Sequence, residues 1–290
     1  MAFLPHQKLR VLTFALALLS AISIQHIQAQ STRVLSYNIR YKNSTDSING
    51  WEYRKANVAG LVKYHKADVL GVQEAQPSQM TDLETLLPEY AWYGVPRVSG
   101  KSGEFTAIFY RRDRYELVSS GTFWYSETPN VKESKSWDAF YPRTASWCKL
   151  KDKKSKKTFF IFNTHLDHRG VVAREKSAEV LLAQIDSIAG KSPVVVTGDF
   201  NSTPTSAAYK KLVDGKKLID AFEITETPHY GPVNTSSGFE VKKEPIRARI
   251  DYIFVNQKFK VLEHATLSEQ QEGRYYSDHL PVIAVIDPAK

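Results

Sequence analysis

Six short polar signatures, each fused to an apolar run, are the part of this chain that carries chemistry. They are Ser36-Tyr37-Asn38, Gln73-Glu74, Asn163-Thr164-His165-Leu166-Asp167-His168, Gly198-Asp199-Phe200-Asn201-Ser202, Arg249-Ile250-Asp251-Tyr252 and Ser277-Asp278-His279-Leu280-Pro281. Four end a strand-like run and two begin one. If the last two strands run antiparallel to the other four, all six signatures reach one rim of a sheet. Carboxylates, amides and imidazoles gathered in this way suit metal-assisted attack on a phosphate ester.

Each residue also has an ordinary structural reading. Glu74 follows the apolar run Asp68 to Val72, where a carboxylate must be hydrated, paired or metal-bound. Mg²⁺ sites use one or two carboxylates completed by water and substrate phosphate. Asn38 suits holding a metal-bound water or a phosphate oxygen, and either residue also suits a strand-end cap. Asp199 and Asn201 stand two apart after a run of β-branched residues and a glycine. From such a turn the acid can orient or deprotonate water and the amide can stabilise a departing oxygen. An Asx turn is the competing account. His165 and His279 each lie near an acid, and a carboxylate can fix a histidine's tautomer and charge. Glu104 is the candidate partner of His165 and Asp251 that of His279. His65 falls on the apolar face of a helical pattern and reads as structural, whereas His229 and His264 have no supporting pattern.

The elements that must position these residues alternate at first. Strands are expected over 34–37 and 68–72, with helices over 57–65 and 77–87. A strand-rich middle follows, at 106–110, 115–121, 144–150 and 158–164. The aromatic stretch Phe123 to Tyr141 is broken by Ser, Thr, Pro and Lys and reads as a long surface loop. Arg174 to Ala189 has the clearest amphipathic spacing and stops at Gly190. Further strands are expected over 193–197, 250–255 and 281–286. This order suggests two packed sheets with helices outside.

The chain has 290 residues, a formal charge of +8 and 42% hydrophobic residues, enough for one large core. Lys8 and Arg10, the apolar run Val11 to Ile24 and the small residue Ala29 read as a secretory signal, residues 1–29. The run is shorter than a spanning helix needs. One domain over residues 30–290 is then expected, secreted or periplasmic, monomeric and without a membrane span. The single Cys148 excludes an internal disulfide and reads as a buried apolar residue. The basic run Lys151 to Lys157 reads as a solvated hairpin turn. A basic surface favours anionic partners without identifying nucleic acid.

Together, in this order, the six signatures resemble those of the endonuclease/exonuclease/phosphatase superfamily, the DNase I-like group, and its small secreted bacterial members in particular. The resemblance runs from Leu35 to Val285. It implies an α/β four-layered sandwich, two mixed β-sheets face to face with helices on both outer faces, and dependence on Mg²⁺ or Mn²⁺. It implies Glu74 as principal metal ligand, with Asn38 and Asp278 close to the metal. His165 becomes a phosphate-contacting histidine paired with Glu104, Asp199 the water-orienting residue with Asn201 beside it, and Asp251 the partner of a second catalytic histidine, His279. Arg143, before a strand, matches a phosphate-binding arginine, although a surface arginine would look the same. Asp167 and His168 suit contact with substrate or a second metal, or solvent-facing hydrogen bonds. Arg40 and Arg54 suit a substrate phosphate or a neighbouring acid. The expected activity is hydrolysis of a phosphomonoester or phosphodiester, with a small-molecule or headgroup ester favoured over duplex DNA. A DNase I-like nuclease and a non-catalytic binding module on the same scaffold are the alternatives. The chain lacks the GxSxG elbow of a serine hydrolase.

Overall fold

Runs rich in Val, Ile and Phe pair into two six-stranded sheets that bury one face of each against the other. The computed structural model describes residues 31–241 and 248–289, so the expected signal segment lies outside the described residues. The first half comprises β1 (Thr32–Asn38), α1 (Trp51–Tyr64), β2 (Val69–Ala75), α2 (Pro77–Leu86), β3 (Tyr90–Tyr93), β4 (Phe105–Arg111), β5 (Tyr115–Trp124), β6 (Thr144–Asp152) and β7 (Thr158–His165). The second half comprises α3 (Val171–Ala189), β8 (Val194–Asp199), α4 (Ala207–Val213), β9 (Ile219–Asp220), α5 (Ala221–Ile224), β10 (Asp251–Val255), β11 (Phe259–Thr266), β12 (Gln270–Gln271), β13 (Arg274–Tyr275) and β14 (Val282–Pro288).

One sheet has the order β11-β14-β1-β2-β4-β3 and the other β5-β6-β7-β8-β10-β9. The pairs β1–β2 and β7–β8 are parallel, whereas β14 and β10 run antiparallel to β1 and β8. That is the arrangement the rim argument requires. Three apolar clusters fill the layers. Val58, Leu61, Val62, Met80 and Leu83 of α1 and α2 pack on the outside of the first sheet. Val34, Val69, Ile108, Cys148, Ile161 and Val195 meet between the sheets. Ala178, Leu181, Ile185 and Leu212 of α3 and α4 cover the second sheet. Helices on both outer faces make the expected four-layered α/β sandwich. Among the described residues no helix is long and apolar enough to cross a membrane.

Polar side chains tie the two sheets together at one point. Asn163 of β7 donates to the backbone carbonyls of Val72 (2.8 Å) and Ala107 (2.9 Å) in the facing sheet. Its oxygen accepts from Gln73 Nε2 (2.6 Å) and Thr197 Oγ1 (3.0 Å). Asn163, Gln73 and Thr197 are all fully buried. Gly71 permits the close approach, since a Cβ there would stand 2.2 Å from Thr197 Oγ1.

Some sequence expectations shift. Helix α1 begins at Trp51 rather than near residue 57, because Trp51 is buried and its Nε1 donates to Asp82 of α2 (2.8 Å). The aromatic stretch is only partly a loop. Phe123 and Trp124 extend β5, and Tyr125 is buried with its hydroxyl 2.7 Å from Thr164 Oγ1. Large aromatic area drives these residues inward despite the polar residues that follow. Strands β3 and β11 and the short helix α4 escaped the sequence reading, being short or irregular in pattern. The Lys151 to Lys157 segment does form the turn between β6 and β7. His65 closes α1 and pairs with Glu269 (2.5 Å).

The two unassigned histidines pair far from the rim, His264 buried and His229 half-buried. His229 Nδ1 and His264 Nδ1 stand 2.9 Å apart, and His229 Nε2 lies 3.1 Å from the Pro232 carbonyl. Burial first, then the charges of His229 and Arg249, lower His264 to about 3. A histidine depressed in this way stabilises the fold fully above its unfolded pKa near 6.5, and that contribution fades as the pH falls toward 3. The thermal advantage of the wild type over His264→Gln should therefore shrink between pH 7 and pH 4, as read by unfolding midpoints. The inter-sheet knot gives a second expectation. Asn163→Ala strips two carbonyls and two donors of partners and should cost roughly 3 kcal/mol or more in urea unfolding, with an unchanged m-value. Gly71→Ala should cost about 1–3 kcal/mol by overpacking the same spot.

Candidate active site

The sheet topology delivers all six signatures to one edge. Asn38, Glu74, His165 and Asp199 lie at or near the C-terminal ends of β1, β2, β7 and β8. Asp251 starts β10, and His279 shortly precedes β14. Register fixes the neighbours: Asp199 pairs with Asp251 on one side and with His165 on the other. Glu104 and Arg143 immediately precede β4 and β6 at the same edge. A cleft of about 490 Å³ opens there, lined by Arg40, Glu74, Arg97, Arg143, His165 and His279 among others.

The acids are close together. Glu74, His165 and Asp199 each offer a ligand atom within 4.8 Å of the others, as do Asp199, Asp251 and His279. Asn38 Nδ2 donates to Glu74 Oε1 and to Asp199 Oδ2, both at 3.0 Å. Its oxygen instead accepts from the Arg40 backbone N–H (3.0 Å). That N–H settles the amide's orientation, since rotating it would set donor against donor. Asn38 therefore bridges two carboxylates of the acidic cluster as a donor, beside the place expected for a metal. Asp278 belongs to neither acidic group; it faces Arg40 at 3.6 Å. Its carboxyl also feels the charges of His279 and Glu74, so it borders the cluster.

Burial alone would raise Glu74. The charge of His279, the Asn38 amide, the Tyr41 N–H (3.1 Å) and Arg40 outweigh it and keep the carboxyl below its ordinary value. Asp199 goes the other way: burial, then the Asp251 charge, push it up to about 7. Burial, then Glu74, raise Glu104 to about 7 as well. Carboxylates crowded at such cost, with imidazole beside them, are a donor set for a hard divalent cation such as Mg²⁺ or Mn²⁺. The lone thiol, Cys148, lies buried between the sheets and away from this set.

The two histidines are shifted in opposite directions. His279 Nδ1 donates to Asp251 Oδ2 (2.8 Å), and its Nε2 stands 3.9 Å from Asp199. Burial opposes its charge, but Asp251 and Asp199 raise its pKa well above the usual histidine value. Thr235 Oγ1 donates to the same Asp251 oxygen (2.6 Å) and steadies it. His165 Nε2 lies 3.5 Å from Asp199, with Nδ1 4.0 Å from Glu104. Burial and the charges of Arg143 and Arg97 push His165 well below its ordinary value. Glu104 makes its short contact with Arg97 instead (2.6 Å). Asn201 has φ of 47° and is pinned by Nδ2 donation to the Leu166 carbonyl (3.1 Å), while its N–H bonds Asp199 Oδ1 (2.8 Å). The Asx turn and the site residue are thus the same object.

The remaining candidates divide. Arg40 is bracketed by Asp46 (3.2 Å) and Asp278 and still lines the cleft. Arg54, by contrast, spends its guanidinium on the carbonyls of Asn49, Ile39, Arg40 and Tyr276, bracing the loop that carries Arg40. Asp167 is buried and accepts four backbone N–H groups, from Phe140, Tyr141, Arg169 and Gly170. Burial opposes its charge, but these amides and Arg143 hold it well below the ordinary aspartate value. Its oxygens organise the loop rather than face substrate or a second metal. His168 stacks on Tyr141 and lies 2.9 Å from Arg143 Nη2. Arg143 is buried, not a surface arginine. Sequence reading missed Arg97, which sits in an irregular loop with no motif around it. Asp167→Ala should cost roughly 2–4 kcal/mol and expose the amides of Phe140, Tyr141, Arg169 and Gly170 to hydrogen exchange, with or without divalent metal. Protection of those amides that appears in the wild type only with metal would instead point to a ligand role.

Comparison with known proteins agrees with this geometry. A solved mannosyl-6-phosphatase from Bacteroides thetaiotaomicron is 38% identical with a TM-score of 0.82, covering 88% of this chain and 99% of its own. An endonuclease/exonuclease/phosphatase family protein from the same organism is 37% identical with a TM-score of 0.84, covering 90% and 99%. Human nocturnin is 27% identical over 263 residues, which is 80% of this chain and 57% of nocturnin. The chain thus spans a little over half of that curated relative. The model of the endonuclease/exonuclease/phosphatase family matches residues 35–279, an interval that holds every side chain placed in the cleft, and the chain belongs to that family.

Proposed function

We propose that this family phosphoesterase is a divalent-metal-dependent hydrolase of a small phosphate ester, using in-line attack by water. The observation that carries the reading is the convergence of Glu74, His165, Asp199, Asn201 and His279 on one cleft at the shared edge of both sheets. Glu74 would hold Mg²⁺ or Mn²⁺, which would neutralise phosphate charge and ease departure of the leaving oxygen. Asp199 would take the proton of the attacking water, its carboxyl lying between two imidazoles. His279, kept charged by Asp251, is a cationic donor to a phosphoryl oxygen. His165, kept neutral, serves as an uncharged hydrogen-bond donor. Asn201 keeps a second amide N–H for an oxygen of the ester. Fixed donors of this kind act where charge develops and need no reorganisation during the reaction.

Substrate size follows from the same edge. The cleft volume suits a small molecule or headgroup. The densest basic run, Lys151 to Lys157, lies on the β6–β7 turn at the opposite end of its sheet. At about 3.3 Å per residue it is roughly 25 Å from the cleft, so it does not flank the site as a nucleic-acid track would. The resemblance to a mannosyl-6-phosphatase supports a sugar-phosphate type of ester. We also read the first 29 residues as a cleaved signal, which N-terminal sequencing of the mature protein would test.

The decisive assay offers plasmid DNA, RNA, a phosphodiester dye, sugar phosphates and phospholipids to the mature protein, with Mg²⁺ or Mn²⁺ and with chelator. Turnover is expected on the small esters and should vanish with chelator. Glu74→Ala and His279→Ala should each lose on the order of 10²–10³ in kcat or more while remaining folded at the assay temperature. Wild-type rates in either variant would defeat the assignment.

A further inference from the structure

Beside His165 the cleft holds two guanidinium groups, each with one donor left unused. Arg97 gives Nη2 to Glu104 (2.6 Å), and Arg143 gives Nε to Asp167 (3.4 Å) with Nη2 at His168 Nδ1 (2.9 Å). Both side chains line the cleft, and the residues are only 9% and 4% exposed. In each, Nη1 is buried and has no hydrogen-bond partner. An orphaned buried guanidinium N–H is expensive, and in native proteins such a group usually has an absent ion or a functional role to explain it. Here it occurs twice in one cleft.

The two groups are also held rigidly. Tyr141 lies under Arg97, with Cζ 4.6 Å from the ring centroid, and stacks on His168 at 5.9 Å and 21°. Glu104, Arg97, Tyr141, His168, Arg143 and Asp167 thus form a chain of contacts in which neither guanidinium can swing away. Glu104 and Asp167 face these guanidiniums through other nitrogens, and the two Nη1 donors left over suit an anion that offers several oxygens. A phosphodiester offers one negative charge and two free oxygens. A monoester near neutral pH carries between about 1.5 and 2 charges over three acceptor oxygens.

We propose that Arg97 and Arg143 form a dianion clamp through which this cleft selects the terminal phosphate of a phosphomonoester over a phosphodiester. The proposal rests on the phosphoesterase reading and names the ester class it acts on. Guanidinium geometry matters here as well as charge, because a planar fork can meet two phosphate oxygens at once.

The test compares p-nitrophenyl phosphate with methyl p-nitrophenyl phosphate, using wild type, Arg97→Met, Arg143→Met and Arg143→Lys with Mg²⁺. Each methionine variant should lose on the order of 10²-fold in kcat/KM on the monoester and less than about tenfold on the diester. Arg143→Lys should recover part of the monoester loss, which a purely structural role would not predict. A parallel calorimetric titration at about pH 8 uses inorganic phosphate and dimethyl phosphate. Wild type should prefer inorganic phosphate, and both methionine variants should lose that preference while unfolding near the wild-type temperature. Equal losses on both esters, or wild-type binding of dimethyl phosphate as tight as that of inorganic phosphate, would overturn the clamp. If wild type hydrolyses neither ester with any metal, the phosphoesterase reading fails, and the anion titration still decides the clamp.

Discussion

The constraint on which the site depends is the buried contact of Asn163 with the facing sheet. Neither sheet contains a whole site. Asn38 and Glu74 belong to one, and His165, Asp199 and Asp251 to the other. Apolar packing between sheets is non-directional and tolerates sliding. Hydrogen bonds from Asn163 to the Val72 and Ala107 carbonyls do not. Asn163 lies two residues before His165 on β7, and the Val72 carbonyl two residues before Glu74 on β2. Fixing one pair of positions therefore fixes the other, and the Asn38 bridge to Glu74 and Asp199 closes the join at the rim.

A second feature grows from this rigidity. Arg40, Glu74 and Asn201 all have positive φ, at 59°, 65° and 47°, and all line the cleft. None is glycine, so each left-handed conformation costs energy that the surroundings must over-determine. For Glu74 the surroundings are visible: its two oxygens are held by the Asn38 amide and the Tyr41 N–H. For Asn201 they are the bonds to Asp199 and the Leu166 carbonyl. The strain turns side chains at strand ends out of the alternating sheet pattern and into a common space.

Much of this was legible in the sequence because strand ends carry polar residues for a reason. A run such as Val194 to Val196 followed by Gly-Asp announces both the strand and the point where it leaves the core. The pairing of Asp251 with His279 was a candidate because a charged imidazole needs a nearby carboxylate, and the resemblance pointed the same way; the two lie 2.8 Å apart. What sequence could not give was side-chain direction. Which way the amide of Asn38 turns, its nitrogen toward two carboxylates, is set by one backbone N–H. Asp167 looked free beside His165 but is consumed by four amides, Arg169 and Gly170 of its own turn and Phe140 and Tyr141 of a loop distant in sequence. Arg97 had no periodic neighbour to mark it, and the end of β5 was hidden because Phe123 and Trp124 adjoin a stretch rich in turn-forming residues.

The two imidazoles show why one cleft can contain both a neutral donor and a cationic one. They flank the same carboxylate, His165 at 3.5 Å and His279 at 3.9 Å from Asp199. Their difference must come from the far side of each ring. Behind His279 stands Asp251, fixed by Thr235 and unable to turn away. Near His165 the charges of Arg143 and Arg97 act against protonation, and Glu104, the acid on that side, is drawn into its bond with Arg97. Exchange those surroundings and the roles would exchange with them, since chemically identical groups take their function from what is packed behind them. The loop arginines are therefore part of the proton arrangement as well as the walls of the cleft.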